Sequence, residues 1–295
     1  MHSNLQKASA IKSKEVYDFI DNAVKSEYLY SNWIVKEYLN TYFEWIQSSR
    51  LNNFHGLKKF NSLSFVHGTS QAFDFFYREQ IQKRKRFRCF KGDFVYHKVS
   101  WRNFDWAYLE DDILSIEDAV VISLPFSDTG GIHSGMEDIL DQCDQLKIPV
   151  FIDAAYYSIA RDLQIDLTRP CIHTVAFSMS KAFHGTHRLR IGMRCKKENI
   201  DDPVDFFNEI EMVSKISAGV GLEICDNFTA DYNQDKYRKK QILVCKDLDI
   251  QPSDSVVFGL TDKTHPNFGS YDRGTDSRRV CISNLLSDRV GANDE

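Results

Sequence analysis

Ser178-Met179-Ser180-Lys181 is followed at short range by Arg190-Ile191-Gly192. Upstream, the apolar run Pro149-Val150-Phe151-Ile152 ends in Asp153-Ala154-Ala155-Tyr156, and Gly68-Thr69-Ser70 forms a turn that opens a helix. A lysine in a desolvated site loses its charge readily, and a neutral amine condenses with an aldehyde. A carboxylate at the end of a buried strand lies where open α/β sheets bind ligands, and there it needs a cationic partner. Small hydroxyls and free N–H groups at a helix start form a phosphate site, which Ser178 and Arg190 can complete. Each feature also has a plain structural reading. Lys181 can be a surface lysine, Asp153 a helix cap, and the Gly-Thr-Ser turn an ordinary helix start.

The elements that must position these residues alternate along the chain. Apolar spacing predicts helix through much of residues 13–48, then a polar, loop-like stretch over 49–63. Phe65-Val66 reads as a short strand, and the helix opened by Gly68 runs to about Gln82. Strands are expected at Phe94–His97, Val120–Leu124, Val150–Ile152 and Thr174–Phe177, with a helix over roughly Gly135–Leu146. Runs such as Ala119–Leu124 are apolar on both faces, as in a parallel strand covered by helices. A helix near 203–216 is followed by a more polar stretch, and strands are expected beyond it at Val256–Leu260 and Val280–Ile282. The division expected is an N-terminal helical segment over 1–48, a large domain over 49–215 and a small domain over 216–295.

In chain order, the Gly-Thr-Ser turn, Thr129-Gly130, Asp153-x-x-Tyr156, Ser178-x-Ser180-Lys181 and Arg190-x-Gly192 resemble the fold type I pyridoxal-phosphate enzymes, specifically the class I/II aminotransferase family. The resemblance covers roughly residues 65–195 and one later segment. It implies an α/β fold with a mostly parallel central sheet covered by helices and a reduced small domain. It also implies pyridoxal phosphate as cofactor and transamination between an α-amino acid and an α-keto acid. By that resemblance Lys181 is the Schiff-base lysine and proton carrier, Asp153 the partner of the pyridinium nitrogen, and Tyr156 the donor to the phenolic oxygen. Gly68, Thr69, Ser70, Ser178 and Arg190 hold the phosphate. Trp101 is either the aromatic that stacks on the ring or a core or interface tryptophan. In Ser277-Arg278-Arg279-Val280, Arg279 matches the arginine that clamps a substrate carboxylate, with Arg278 as the alternative.

The chain also departs from the family pattern. The loop from Lys181 to Arg190 is one residue longer than usual, which leaves Arg188 as a second candidate for the phosphate. The family's Asn-Pro-x-Gly-type segment, whose Asn contacts the phenolic oxygen, is replaced by Pro125-Phe126-Ser127-Asp128-Thr129-Gly130. Ser127 or Asp128 takes that neighbourhood, and an aspartate there would keep the phenol protonated. At 295 residues the chain is shorter than most members. Decarboxylation, elimination or condensation on the same cofactor, or a non-catalytic binding role, are the alternative readings.

Composition narrows the partners. With 42% apolar and 27% charged residues the chain is an ordinary globular one. A net charge of −5 argues against nucleic acid or an anionic membrane. The basic run Lys83–Arg88 reads as cations at a helix end. His184 and His187 have two-ligand spacing without an evident third ligand, so no metal is expected. Seven scattered cysteines without a CxxC pair indicate buried thiols in a reducing, cytoplasmic setting. As in the family, a homodimer is expected, with Tyr28 or Tyr30 as candidates to reach a partner's phosphate.

Overall fold

The run Asp118–Ser123 folds as a strand buried along its whole length, with alternate side chains entering two different cores. Val120 and Ile122 join the larger cluster, and Ala119 and Val121 join the smaller one on the opposite face. Period-two alternation between two apolar environments is why the segment reads as apolar throughout. The computed structural model, which describes Leu5 and residues 8–198 and 202–288, places this strand in a seven-stranded sheet. In chain order the strands are β1 (Ser62–His67), β2 (Arg86–Cys89), β3 (Trp106–Tyr108), β4 (Asp118–Ser123), β5 (Val150–Ala154), β6 (Ile172–Ser178) and β7 (Ile191–Lys196). They lie in the order β1-β7-β6-β5-β4-β2-β3, and β7 alone runs against its neighbours. The fold is therefore α/β with a mostly parallel central sheet. A separate three-stranded antiparallel sheet is built from β8 (Gln251–Pro252), β9 (Phe258–Asp262) and β10 (Ser277–Cys281).

Several elements differ from expectation. The N-terminal helical stretch is broken into α1 (Lys14–Ala23) and α2 (Ile34–Gln47), with a 3-10 turn at Ser26–Tyr30 between them. The Phe94–His97 segment is not a strand. It opens the helix α4 (Val95–Trp101), which follows α3 (Thr69–Gln82), and the strand of this region is β2, inside the basic run. Arg88 of β2 is fully buried and pairs with the equally buried Asp118 at 2.8 Å, while Arg86 reaches the other oxygen of Asp118 at 2.7 Å. Arg86 and Arg88, two of the run's five cations, are thus held by a buried carboxylate, while Lys83 caps the C-terminal end of α3. After α5 (Met136–Leu146) and α6 (Thr186–Leu189), the helix expected near 203–216 is α7 (Pro203–Glu209), and the polar stretch beyond folds as α8 (Lys215–Asn227) and α9 (Tyr232–Asp247). Tyr28 is buried, donates its hydroxyl to Glu223 of α8, and packs where a side chain at Gly219 would lie. It is committed within its own chain, while Tyr30 is 84% exposed.

One close approach fixes the sheet behind the site. Gly192 of β7 pairs with Val66 of β1 and Ser178 of β6. A Cβ at Gly192 would stand 2.9 Å from both the Gly68 Cα and the Phe177 carbonyl oxygen, which are backbone atoms that cannot swing away. Gly192→Ala is expected to destabilise the protein by about 1–3 kcal/mol, the usual cost of overpacking. Urea unfolding checks this, and an unchanged midpoint would contradict the close contact.

Candidate active site

Most of the chemistry-bearing residues sit at or just beyond the C-terminal ends of forward-running strands, where open α/β sheets gather ligands, and Arg190 joins them from just before the reversed β7. Thr69 and Ser70 follow β1 and begin α3. Ser123 ends β4, opposite Asp153 in the register with β5. Ser178 ends β6, and Ser180 and Lys181 follow it directly. Together they line one cleft. Ser127, Tyr156 and Arg190 line the same cleft, as do Phe94 and His187.

Arg190 forms the end of the cleft nearest α3. It adopts a left-handed conformation (φ 55°) after α6, and its Nη2 donates to the His67 carbonyl at 3.0 Å and the Ser70 hydroxyl at 2.7 Å. Gly68 has φ 73°, and a Cβ there would meet this guanidinium at 2.7 Å. The left-handed backbone therefore favours glycine, and a side chain there would displace the guanidinium. The Ser178 hydroxyl accepts the Ser180 N–H at 3.1 Å, so the turn that carries Lys181 is fixed by its own side chains. Arg188 is exposed and lies outside the cleft lining; the structure brings Arg190, and not Arg188, to the turn at Ser70.

At the base lies Asp153, 3% exposed. Burial raises its pKa to about 7; the Thr69 hydroxyl opposes the shift, the charge of Asp93 adds to it, and the Ala155 N–H opposes it. Its hydrogen bonds come from the Ala155 N–H at 3.1 Å and the Thr69 hydroxyl, neither of them a cation. Thr69, expected on the phosphate, turns its hydroxyl to this carboxylate instead.

Lys181 is held from the opposite wall. Its Nζ donates to the Ala8 carbonyl at 2.9 Å, so the N-terminal segment closes against the amine. Burial lowers its pKa; Cys281 opposes this, and the charges of Arg279 and Arg190 reinforce it. Burial likewise pushes the Tyr156 phenol up, against the fields of Arg279 and Arg273. It is therefore a hydrogen donor at neutral pH.

Trp101 does not reach the cleft. It ends α4 with no exposed surface and stacks on Phe87 at 5.1 Å in the smaller core. The segment expected as a strand at 94–97 is instead the start of a helix, which brings Phe94 to the cleft and turns Trp101 into the core. Arg279 of β10 stands over the Phe258 ring at 4.4 Å and donates Nη1 to the Ser127 carbonyl. It lies beside the cleft, close enough to act on Lys181 and Tyr156. Arg278 is tied to the carbonyls of Gly269, Thr275 and Ser277 and shapes the loop before β10.

Asp128 points away from the cleft. It is fully buried, accepts the Thr275 hydroxyl and pairs with Arg273 at 3.1 Å. Burial raises its pKa against the Thr275 hydroxyl and the charges of Arg273, Arg279 and Arg278, and it does not line the cleft, so the repulsion expected at a phenolic oxygen is not delivered. Arg273 is the residue that sequence reasoning missed.

These residues suit a flat, anionic aldehyde with a basic ring nitrogen. The buried carboxylate lacks a cation, the buried amine is inclined to neutrality, and an arginine with small hydroxyls stands at a helix start.

Comparison with known proteins leads to the same chemistry. Residues 87–240, just over half of the chain, match the sequence family described as aminotransferase class I and II. No curated protein matches the chain. Among solved structures, a pyridoxal-phosphate-bound C-S lyase from Staphylococcus hominis superposes with a TM-score of 0.67 at 12% identity, over 96% of this chain and 85% of that one. Histidinol-phosphate aminotransferase from Clostridium acetobutylicum gives 0.60 at 12% identity, over 95% and 94%. Aromatic aminotransferase from Pyrococcus horikoshii OT3 gives 0.65 at 12% identity, over 96% and 91%. At such identities the likeness is one of fold.

Proposed function

The chain belongs to the class I and II aminotransferase family, a pyridoxal-phosphate-dependent family, and we propose that it moves an amino group between an α-amino acid and an α-keto acid. The observation that carries this reading is the meeting of Lys181, Asp153 and Arg190 around one cleft from three separate strand ends.

When bound, pyridoxal phosphate supplies an aldehyde for an amine and a ring that takes up electron density released at a substrate Cα. The chain supplies the rest. Arg190, Ser70, Ser178 and the first N–H groups of α3 hold the phosphate. Asp153 holds a proton on the ring nitrogen, and the Tyr156 hydroxyl donates to the phenolic oxygen. Lys181 Nζ, turned toward neutrality by burial, is the amine and the base that carries the Cα proton. Arg279 orients the substrate carboxylate through its planar fork. The family's homodimer would bury Leu29, Tyr30 and Trp33, which are exposed on the N-terminal segment.

The test is the visible spectrum of the cofactor-loaded protein during titration with a panel of amino acids. Transamination is expected to bleach the cofactor's visible band, and an α-keto acid is expected to restore it without free ammonia. Ammonia and a keto acid released from the amino acid, with the band unchanged after turnover, would replace this reading by an elimination.

A further inference from the structure

We propose that Arg273 is a positioning residue that acts through the Ser127 hydroxyl to set the charge on the cofactor's phenolic oxygen. This rests on the reading above. It replaces, by a different device, the asparagine that this chain lacks.

Ser127 is 3% exposed and lines the cleft just after β4. Its hydroxyl oxygen accepts from Arg273 Nη2 at 3.1 Å, and its carbonyl accepts from Arg279. With that lone pair engaged by a cation, the hydroxyl hydrogen is left to donate into the cleft. A hydroxyl whose oxygen is held by a guanidinium is a stronger donor than a free one.

Arg273 is itself built in. Its Nη2 also donates to the Gly92 carbonyl at 3.1 Å, and its Nε faces Asp128 at 3.1 Å. The loop carrying it lies on Gly92, whose φ is 85° and where a Cβ would stand 2.7 Å from Thr275 Cγ2 and 3.0 Å from Asp128 Cβ. Asp128 meets Nε of the guanidinium, Ser127 meets Nη2, and Asp128 does not line the cleft. What Ser127 feels directly is therefore the positive end of the pair. The other charged or titratable groups facing this position are Asp93 ahead of α4, Asp153 and Tyr156 after β5, Lys181 after β6, and Arg279 and Cys281 on β10.

A positive field at the phenolic oxygen expels the proton that this oxygen shares with the nitrogen of Lys181. The readout is the pH midpoint of the visible band of the cofactor-loaded, full-length protein, without any substrate. Ser127→Ala and the double variant Arg273→Gln/Asp128→Asn are each expected to raise the midpoint by about one pH unit or more. Arg273→Lys is expected to recover most of the shift. The double variant removes both members of the ion pair and so leaves no unpaired buried carboxylate to unfold the chain. Ser127→Ala keeps Arg273 and Asp128 in place, so the two variants test the relay from both ends. A purely structural role would lower thermal stability and leave the midpoint where it was. Midpoints within about 0.3 units of the parent in both variants, with the band retained, would overturn this inference alone. A parent protein that develops no visible band with pyridoxal phosphate would overturn the cofactor reading, and this inference with it.

Discussion

Replacing Lys181 by alanine is expected to lower kcat/KM for every amino-acid substrate by on the order of 10⁴-fold. Two functions rest on the one amine. On the proposed reading it is the nucleophile that holds the cofactor and the base that carries a proton from the substrate Cα. The site prepares it for both. Its Nζ donates to the Ala8 carbonyl at 2.9 Å, and no carboxylate among the described residues pairs with it. Burial and the fields of Arg279 and Arg190 work against its charge, and only Cys281 works for it. Lys181→Arg keeps the charge and much of the length but offers no neutral amine, so it is expected to fail as badly as alanine. Borohydride reduction followed by mass spectrometry separates the roles. The wild type is expected to retain the cofactor's mass and the alanine variant to lose it, while Ser178 and Arg190 still hold pyridoxal phosphate noncovalently. An alanine variant within tenfold of the wild type would remove Lys181 from the chemistry.

How far the sequence shows this site depends on how each element earns its place. The strands β4, β5 and β6 are legible because both of their faces meet apolar cores, so burial appears as continuous apolar runs. Asp153 and Lys181 are legible because they follow those runs at the ends where ligands bind. β2 is hidden because its buried positions include Arg88, whose partner Asp118 is 30 residues away and unrelated in spacing. α9 is hidden for a similar reason. Its buried face is Asn233, Gln234, Tyr237, Gln241 and Cys245, at helical spacing but largely polar. Gln241 Nε2 alone serves the carbonyls of Ser253, Ser255 and Phe258, so hydrogen bonding replaces an apolar stripe. Phe94, and not Trp101, lines the cleft because one aromatic spacing suits a strand or a short helix. Arg273 has no periodic signal, and its meaning depends on Ser127 and Asp128, far away in the chain.

Asp153 predicts a coupling between the cofactor and the pH dependence of folding. Burial takes its pKa from the ordinary 3.8 to about 7, so between those values the folded state binds more protons than the unfolded state. Stability from this group is therefore fully present below about pH 4 and is lost as pH rises through 7, by on the order of 4 kcal/mol. The cofactor-free protein is expected to follow this slope. Asp153→Asn, which cannot ionise, is expected to lack it, so the difference between the two isolates Asp153 from every other titrating group. On the proposed reading bound pyridoxal phosphate would set a protonated ring nitrogen against the carboxylate, so the same slope is expected to vanish in the loaded wild type. The asparagine variant pays for its pH-independence in catalysis: without a carboxylate to hold that proton, turnover is expected to fall by roughly 10²-fold or more, the scale of one lost electrostatic contact. Unfolding curves at pH 5 and pH 8, with and without cofactor, decide the matter. Equal slopes for wild type and variant would mean that Asp153 is paired already and is not the vacant partner of a cationic ring.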